Sequence, residues 1–143
     1  MKIHARRMAR EGVLEALFSH KFSDVERKVT INRVLENVPE RKENLGFITN
    51  LFDTVLNNSK WADKLIEEHL QNWEFDRVAK VDKVLLKMGI CEIYFLEDIP
   101  PKVTISEMVE ISKVYSTDES PNFINGILDA VYKDFQKKEK KQQ

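Results

Sequence analysis

The sequence predicts an all-α protein, a compact bundle of about seven helices, and three observations predict it. Apolar residues recur at spacings of three and four through almost the whole chain, the period of a helix with one buried face. No stretch shows the alternation of a half-buried strand. Only four Gly and four Pro occur in 143 residues, so connections are short, which favours an orthogonal bundle in one compact unit over separate domains. With 42% hydrophobic and 33% charged residues, the chain has the composition and length to bury a core. Glu92 interrupts the most apolar run, Met88 to Leu96, well short of the ~18 residues of a membrane span. The N-terminus has no apolar middle of a signal peptide.

The first helix is expected from about His4 to Phe22, ending at Ser23-Asp24, which suit the N-cap of a second helix. That helix carries Val25, Val29, Ile31, Val34, Leu35 and Val38. Pro39 separates it from a third, Glu40 to Asn58, with Leu45, Ile48, Leu51, Phe52, Val55 and Leu56 inward. Asn57-Asn58-Ser59 caps a fourth that buries Trp61, Ala62, Leu65, Ile66 and Leu70, and Asn72 to Phe75 connects onward. Asp76 reads as the N-cap of the central helix, which is apolar almost all round beyond Leu85 as far as Phe95 and Leu96. Asp98-Ile99-Pro100-Pro101 stops it. Thr104 and Glu107 have capping-box spacing and open a sixth helix through Ile105, Met108, Val109, Ile111 and Val114. After a loop at 116–119, Ser120 as N-cap and Pro121 as first helical residue start the seventh, with Phe123, Ile124, Ile127, Leu128, Val131 and Phe135 inward. Residues 137–143 read as a disordered Lys-rich tail.

The formal net charge of −1 hides an uneven distribution. Residues 1–10 hold Lys2, Arg6, Arg7 and Arg10 and no acid, and residues 137–143 hold four Lys against Glu139; 15 cations face 23 acids in between, a net of −8. Helical spacing places the arginines on the apolar stripe. Taking Arg6 as origin, Arg10 falls at about 40° and Leu17 at about 20°, whereas Glu15 falls at about 180° on the back. The core is therefore expected to end near Arg10, with the first turns projecting past it. Cations at a helix N-terminus oppose its dipole by roughly 0.3–1 kcal/mol each, a cost an external anion offsets. A solubilising frayed terminus is the other reading.

Chemistry-bearing patterns are sparse. His4, His20 and His69 have no metal-ligand spacing to each other or to Cys91, so no metal is expected. Cys91, the only cysteine, sits among apolar residues as a small core side chain in a reducing cytoplasm. No phosphate-binding glycine loop, dinucleotide fingerprint or nucleophile elbow is present, and carboxylate pairs such as Glu67-Glu68 read as solvated faces. A noncatalytic protein without cofactors is expected. Gly126, inside the last helix, costs about 1 kcal/mol relative to Ala. Either another helix packs very close there, or a ligand approaches the backbone. Its neighbours Phe123 and Asn125 are a stacking face and an amide, the groups that single-stranded RNA recognition uses.

Several stretches together resemble the NusB family of bacterial transcription antitermination factors. They are R-R-M-A-R-E at Arg6 to Glu11 with A-L-F at Ala16 to Phe18, V-D-K-V-L-L at Val81 to Leu86, E-I-Y-F at Glu92 to Phe95, I-P-P-K-V-T-I at Ile99 to Ile105, and S-P-N-F-I-N-G-I-L-D at Ser120 to Asp129. The resemblance implies an all-helical fold of two packed subdomains, about 4–58 and 59–136, within one RNA-binding domain over 1–136. It further implies binding of the boxA element of ribosomal RNA operon transcripts together with NusE, a small-subunit ribosomal protein, in an antitermination complex on RNA polymerase.

By the same resemblance, Lys2, Arg6, Arg7 and Arg10 form the arginine-rich RNA-binding segment, and Phe123 and Asn125 lie beside the RNA. Asp82, Glu119 and Phe18 fall on the protein-partner side, Glu119 near the RNA edge. Three departures stand out. Met8 replaces a third consecutive basic residue, Phe18 lacks the hydroxyl of a common tyrosine, and Thr54 takes a place where glycine is frequent. Three or four arginine–phosphate contacts alone give weak, salt-sensitive binding, so a basic protein docked on the acidic body would add affinity and register. Two other readings stay open: an RNA-docking module acting in trans with a ribosomal RNA methyltransferase, and a helical interaction protein with no RNA role. A homodimer covering the arginine face would hold the protein inactive, and the sequence does not decide for or against it.

Overall fold

Helical periodicity is realised as seven α-helices in the computed structural model, which describes residues 2–20, 26–71 and 74–142, with all their side chains except those of Lys2, Ile3 and Gln142. They are α1 (Lys2–His20), α2 (Arg27–Asn37), α3 (Leu45–Asn57), α4 (Ser59–Glu68), α5 (Lys80–Phe95), α6 (Pro101–Tyr115) and α7 (Ser120–Gln142). Two 3-10 segments, Pro39–Asn44 and Phe75–Arg77, precede α3 and α5. Among the described residues there is no strand, and no helix is long and apolar enough to cross a membrane. The chain divides into two compact units, Met1–Asn57 and Asn58–Gln143.

In the first unit, α1 packs on α2, α3 and the 3-10 segment between them. Ala9, Val13, Leu14, Ala16 and Leu17 meet Ile31, Val34 and Leu35 of α2 and Ile48, Leu51, Phe52 and Val55 of α3 in its core. His20 closes one edge, its Nδ1 2.9 Å from Thr30 Oγ1 and its ring edge-on to Phe52. The expected helix from Glu40 instead begins as a 3-10 segment, which turns Arg41 inward. Its Nη1 donates to Glu15 Oε2 at 2.6 Å and to the Val34 carbonyl at 3.1 Å, and its stem lies where a Cβ on Gly12 would come within 3.0 Å. Leu45 and Val29, both expected inside, are exposed. The end of α1 at Phe22, the Ser23-Asp24 caps and Val25 lie outside the described residues, and so does the start of the connector at Asn72.

In the second unit, α5 is packed by α4, α6 and α7. From Leu85 to Ile93, only Lys87 of its residues is not buried. Gly89 matters here: a Cβ on it would lie 2.7 Å from Leu128 Cδ1, so the absent side chain lets α7 approach α5 closely. Cys91 is buried, and burial pushes its thiol up to about 12.

Several predicted boundaries and faces move, each for a visible reason. Helix α5 starts at Lys80, and Asp76 belongs to the 3-10 segment before it. Helix α6 starts at Pro101, which needs no N–H partner in a first turn, so Thr104 does not cap it. The Thr104 hydroxyl instead donates to Glu92 Oε1 at 2.8 Å, and both residues are fully buried. Trp61 and Phe95, expected inward, are 39% and 47% exposed, and Val114 is 74% exposed. The Lys-rich end, expected to be disordered, continues α7 as exposed helix to Gln142.

Candidate nucleic-acid interface

The first turns of α1 carry no acid, so Arg6, Arg7 and Arg10 stand near the positive end of the helix dipole. What holds two of them is aromatic. Arg6 Cζ lies 4.2 Å from the Phe47 ring centroid and Arg10 Cζ 5.3 Å from it. Arg6 Nε–H also donates to Asn44 Oδ1 at 3.2 Å, and Asn44 Nδ2 donates to the Ala5 carbonyl at 3.5 Å. Cation–π attraction is worth roughly 0.5–1 kcal/mol when exposed and about 2 when desolvated, enough to offset the dipole.

Placement separates the three arginines. Arg6 and Arg7 are half-buried at the surface, whereas Arg10 is only 2% exposed. The core does not end at Arg10, as the spacing suggested; it encloses Arg10 beside Phe47. Arg6 is thus open to solvent on α1, whereas Arg10 is enclosed beside the shared ring. The side chain of Lys2 lies outside the described set. Sequence reasoning missed Asn44 and Phe47, which stand about forty positions from the arginines with no local pattern linking them.

A second set of predicted residues gathers in the Asn58–Gln143 unit around the 116–119 loop. Asp82, expected to face a protein partner, is turned inward at 5% exposure. Ser116 Oγ donates to its Oδ1 at 2.6 Å and Ser120 Oγ to its Oδ2 at 2.8 Å, while Ser120 Oγ accepts from Thr117 N–H at 3.2 Å. Asp82 also sits in the first turn of α5, where the dipole favours a carboxylate. Its oxygens therefore clamp the α6–α7 loop, one serine hydroxyl on each. The Ser120 hydroxyl, committed to this clamp, does not cap α7. Instead the Glu119 carbonyl accepts the first helical bond, from Phe123 N–H at 3.2 Å, and the Glu119 side chain is exposed. The i, i+4 serines around Thr117-Asp118-Glu119 were the overlooked signal for this loop.

Phe123, half-buried, stands between two grooves. One, of about 290 Å³, is lined by Arg77, Val78, Ala79, Asp82, Thr117, Glu119, Ser120 and Phe123. The other, of about 330 Å³, is lined by His69, Leu70, Gln71, Asn122, Phe123, Gly126, Ile127 and Ala130. Among the described residues nothing lies within 4 Å of a Cβ built on Gly126, so close packing of a described helix does not explain that glycine. Asn125, one residue before it, is exposed. His69 joins α4 to α7, with Nδ1 2.9 Å from the Leu65 carbonyl and Nε2 2.7 Å from Asp134 Oδ2. Phe18, on α1, is half-buried. No group of three potential ligand side chains gathers for a metal among the described residues.

Fold and site together define an all-helical protein with guanidiniums held over a ring on α1, an exposed amide and a half-buried aromatic near the start of α7, and a loop held by a buried carboxylate. The NusB family profile matches residues 7–133. The chain is 38% identical to the transcription antitermination protein NusB of Chloroherpeton thalassium, over 95% of this chain and 65% of that one, so it spans slightly less than two thirds of that relative's length. It is also 38% identical to NusB of Salinibacter ruber, over 91% of this chain and 82% of the relative. Among solved structures, T. maritima NusB matches with a TM-score of 0.76 at 32% identity, covering 90% of each chain. A crystallised complex of antitermination factors NusB and NusE with double-stranded RNA matches with a TM-score of 0.79 at 26% identity, over 91% of this chain and 97% of the other. The chain belongs to the NusB family.

Proposed function

We propose that this protein is a cytoplasmic, noncatalytic transcription antitermination factor that binds single-stranded boxA RNA of ribosomal RNA transcripts jointly with NusE, within an RNA polymerase antitermination complex. The observation that carries this reading is Arg6 held on Phe47 at the first turn of α1 in a chain of this family. A guanidinium fixed by a ring and by Asn44 loses little rotamer entropy when it takes up a phosphate oxygen. The relative crystallised with NusE and RNA supports the choice of partners.

Arg6 and Arg7 contact RNA phosphates, and Lys2 and the buried Arg10 reinforce the same positive end. Phe123 offers a base its face, and Asn125 offers an amide to a base edge. Glu119 and Phe18 belong to the protein-partner side, and Asp82 serves that side by fixing the loop that carries Glu119. The acidic stretch between the basic ends, net −8, repels RNA and attracts a basic partner. Protein and RNA are therefore expected to bind cooperatively.

A gel shift with boxA RNA and NusE, added separately and together, tests this. Tight binding is expected only with both. Replacing Arg6 and Arg7 by Ala weakens the complex and makes the slope of log K against log salt shallower by about 0.7 per lost phosphate contact. Unchanged affinity and slope in that double variant would reject the RNA role of α1.

A further inference from the structure

Trp61 and Phe95 were expected in the core, and their exposure points to a second contact surface. Trp61 of α4 packs against Tyr94 and Phe95 at the end of α5, with ring centroids 4.9 and 5.5 Å away, and Tyr94 packs edge-on to Phe135 of α7 at 4.8 Å. Three helices thus contribute to one aromatic cluster whose outer members, Trp61 and Phe95, are 39% and 47% exposed. The rings pin each other, so they present a rigid apolar anchor, the kind of feature that carries binding energy at protein interfaces. At its base the Tyr94 hydroxyl is buried with no hydrogen-bond partner among the described residues.

The α7 edge of the cluster is cationic, with four lysines against Glu139 over residues 137–141. Lys138 Nζ lies 5.9 Å from the Tyr94 ring centroid, and α7 continues beyond it as exposed helix carrying Lys140 and Lys141. Among the described residues these lysines make no ion pair. The cluster lies at the opposite end of α5 from Asp82, thirteen residues or about 20 Å along the helix, so it is distinct from the loop clamp.

We propose that this face docks an acidic amphipathic peptide segment of another protein, its apolar side chains on Trp61 and Phe95 and its carboxylates on the Lys138 edge. Charge complementarity selects that occupant. The rings are mutually inclined by 50° to 80°, so they offer no common plane on which successive RNA bases could stack. A second copy related by a two-fold axis would bring like lysines together. The inference does not depend on the RNA role of α1.

The test titrates the full chain into a fluorescein-labelled helical peptide with Leu on one face and Glu on the others, followed by anisotropy. A control peptide has Ser for Leu. The Leu peptide is expected to bind and the Ser peptide to bind much more weakly. Phe95→Ser lowers affinity by at least about tenfold, and Lys138→Glu, at an exposed position where folding is not at issue, lowers it several-fold. Arg6→Ala leaves it unchanged. Equal binding of both peptides, or parental affinity in both Phe95→Ser and Lys138→Glu, would overturn the proposal. So would displacement of the peptide by oligouridylate, or self-association in sedimentation equilibrium that Phe95→Ser abolishes.

Discussion

Replacing Gly126 by Ala is expected to make the free protein more stable. The position is interior to α7 and exposed, and a Cβ there meets nothing within 4 Å among the described residues. No packing penalty therefore opposes the helix-propensity gain of about 0.8–1.0 kcal/mol. For a chain of this size that raises Tm by roughly 2–4 °C. Gly89→Ala provides the internal contrast, because its new methyl would lie 2.7 and 2.9 Å from the two Cδ atoms of the fully buried Leu128. Overpacking of about 1–3 kcal/mol then outweighs the same propensity gain. Urea unfolding of the two variants beside the parent, at equal m-value, measures both signs. A destabilised Gly126→Ala would refute the reading that this glycine faces open space. The same variant also addresses the remaining account of the glycine, a backbone approached by ligand. If RNA lies over the groove beside Phe123, the stabilised variant binds boxA RNA with NusE less tightly than the parent does.

Other expectations follow from single contacts. Thr104→Val keeps the shape but removes a donor from the fully buried Glu92 and should cost about 1–3 kcal/mol in urea unfolding; a neutral effect would mean that bond contributes nothing. Phe47→Leu removes the ring shared by Arg6 and Arg10, and a double-mutant cycle with Arg6→Ala should return a coupling of about 0.5–1 kcal/mol, where zero would deny the stacking any energetic role. Burial raises the Cys91 thiol from 9.0 to about 12, chiefly by desolvation and against the opposing charge of Lys87. The folded state thus holds this proton more tightly than the unfolded one, so its contribution to stability is full below pH 9.0 and declines as pH rises toward about 12. A thiol reagent at pH 8 should therefore react only as fast as the protein unfolds, and rapid modification of the native protein would contradict that burial.

Helix existence was legible because it rests on periodicity, which survives tertiary context. The run from Leu85 to Ile93 had to be central, and it is buried apart from Lys87. Faces and starts were less legible, since they depend on partners far along the chain. Thr104 and Glu107 have the spacing of a cap, but Pro101 opens the helix earlier and Glu92 claims the Thr104 hydroxyl. Trp61 and Phe95 fit an inward stripe by spacing, yet they lie where α4 and α5 run out of neighbours to cover them. At the candidate site, spacing put Arg6 and Arg10 on the stripe of the core but could not say that a ring from α3 would enclose one and leave the other half-exposed. The inward turn of Asp82 was equally hidden, because its serine partners lie 34 and 38 residues away.

The close seating of Leu128 over Gly89 bears on how this protein tolerates changes in loop length. The notch left by the missing side chain seats Leu128, so α7 slides along α5 only if that leucine is lifted out of it. A residue inserted into 116–119 must then bulge outward or break the Asp82 clamp, while Phe123 and Gly126 keep their height on the unit. Members of the family that lengthen this loop should be able to reshape what surrounds Glu119 without displacing the aromatic beside it.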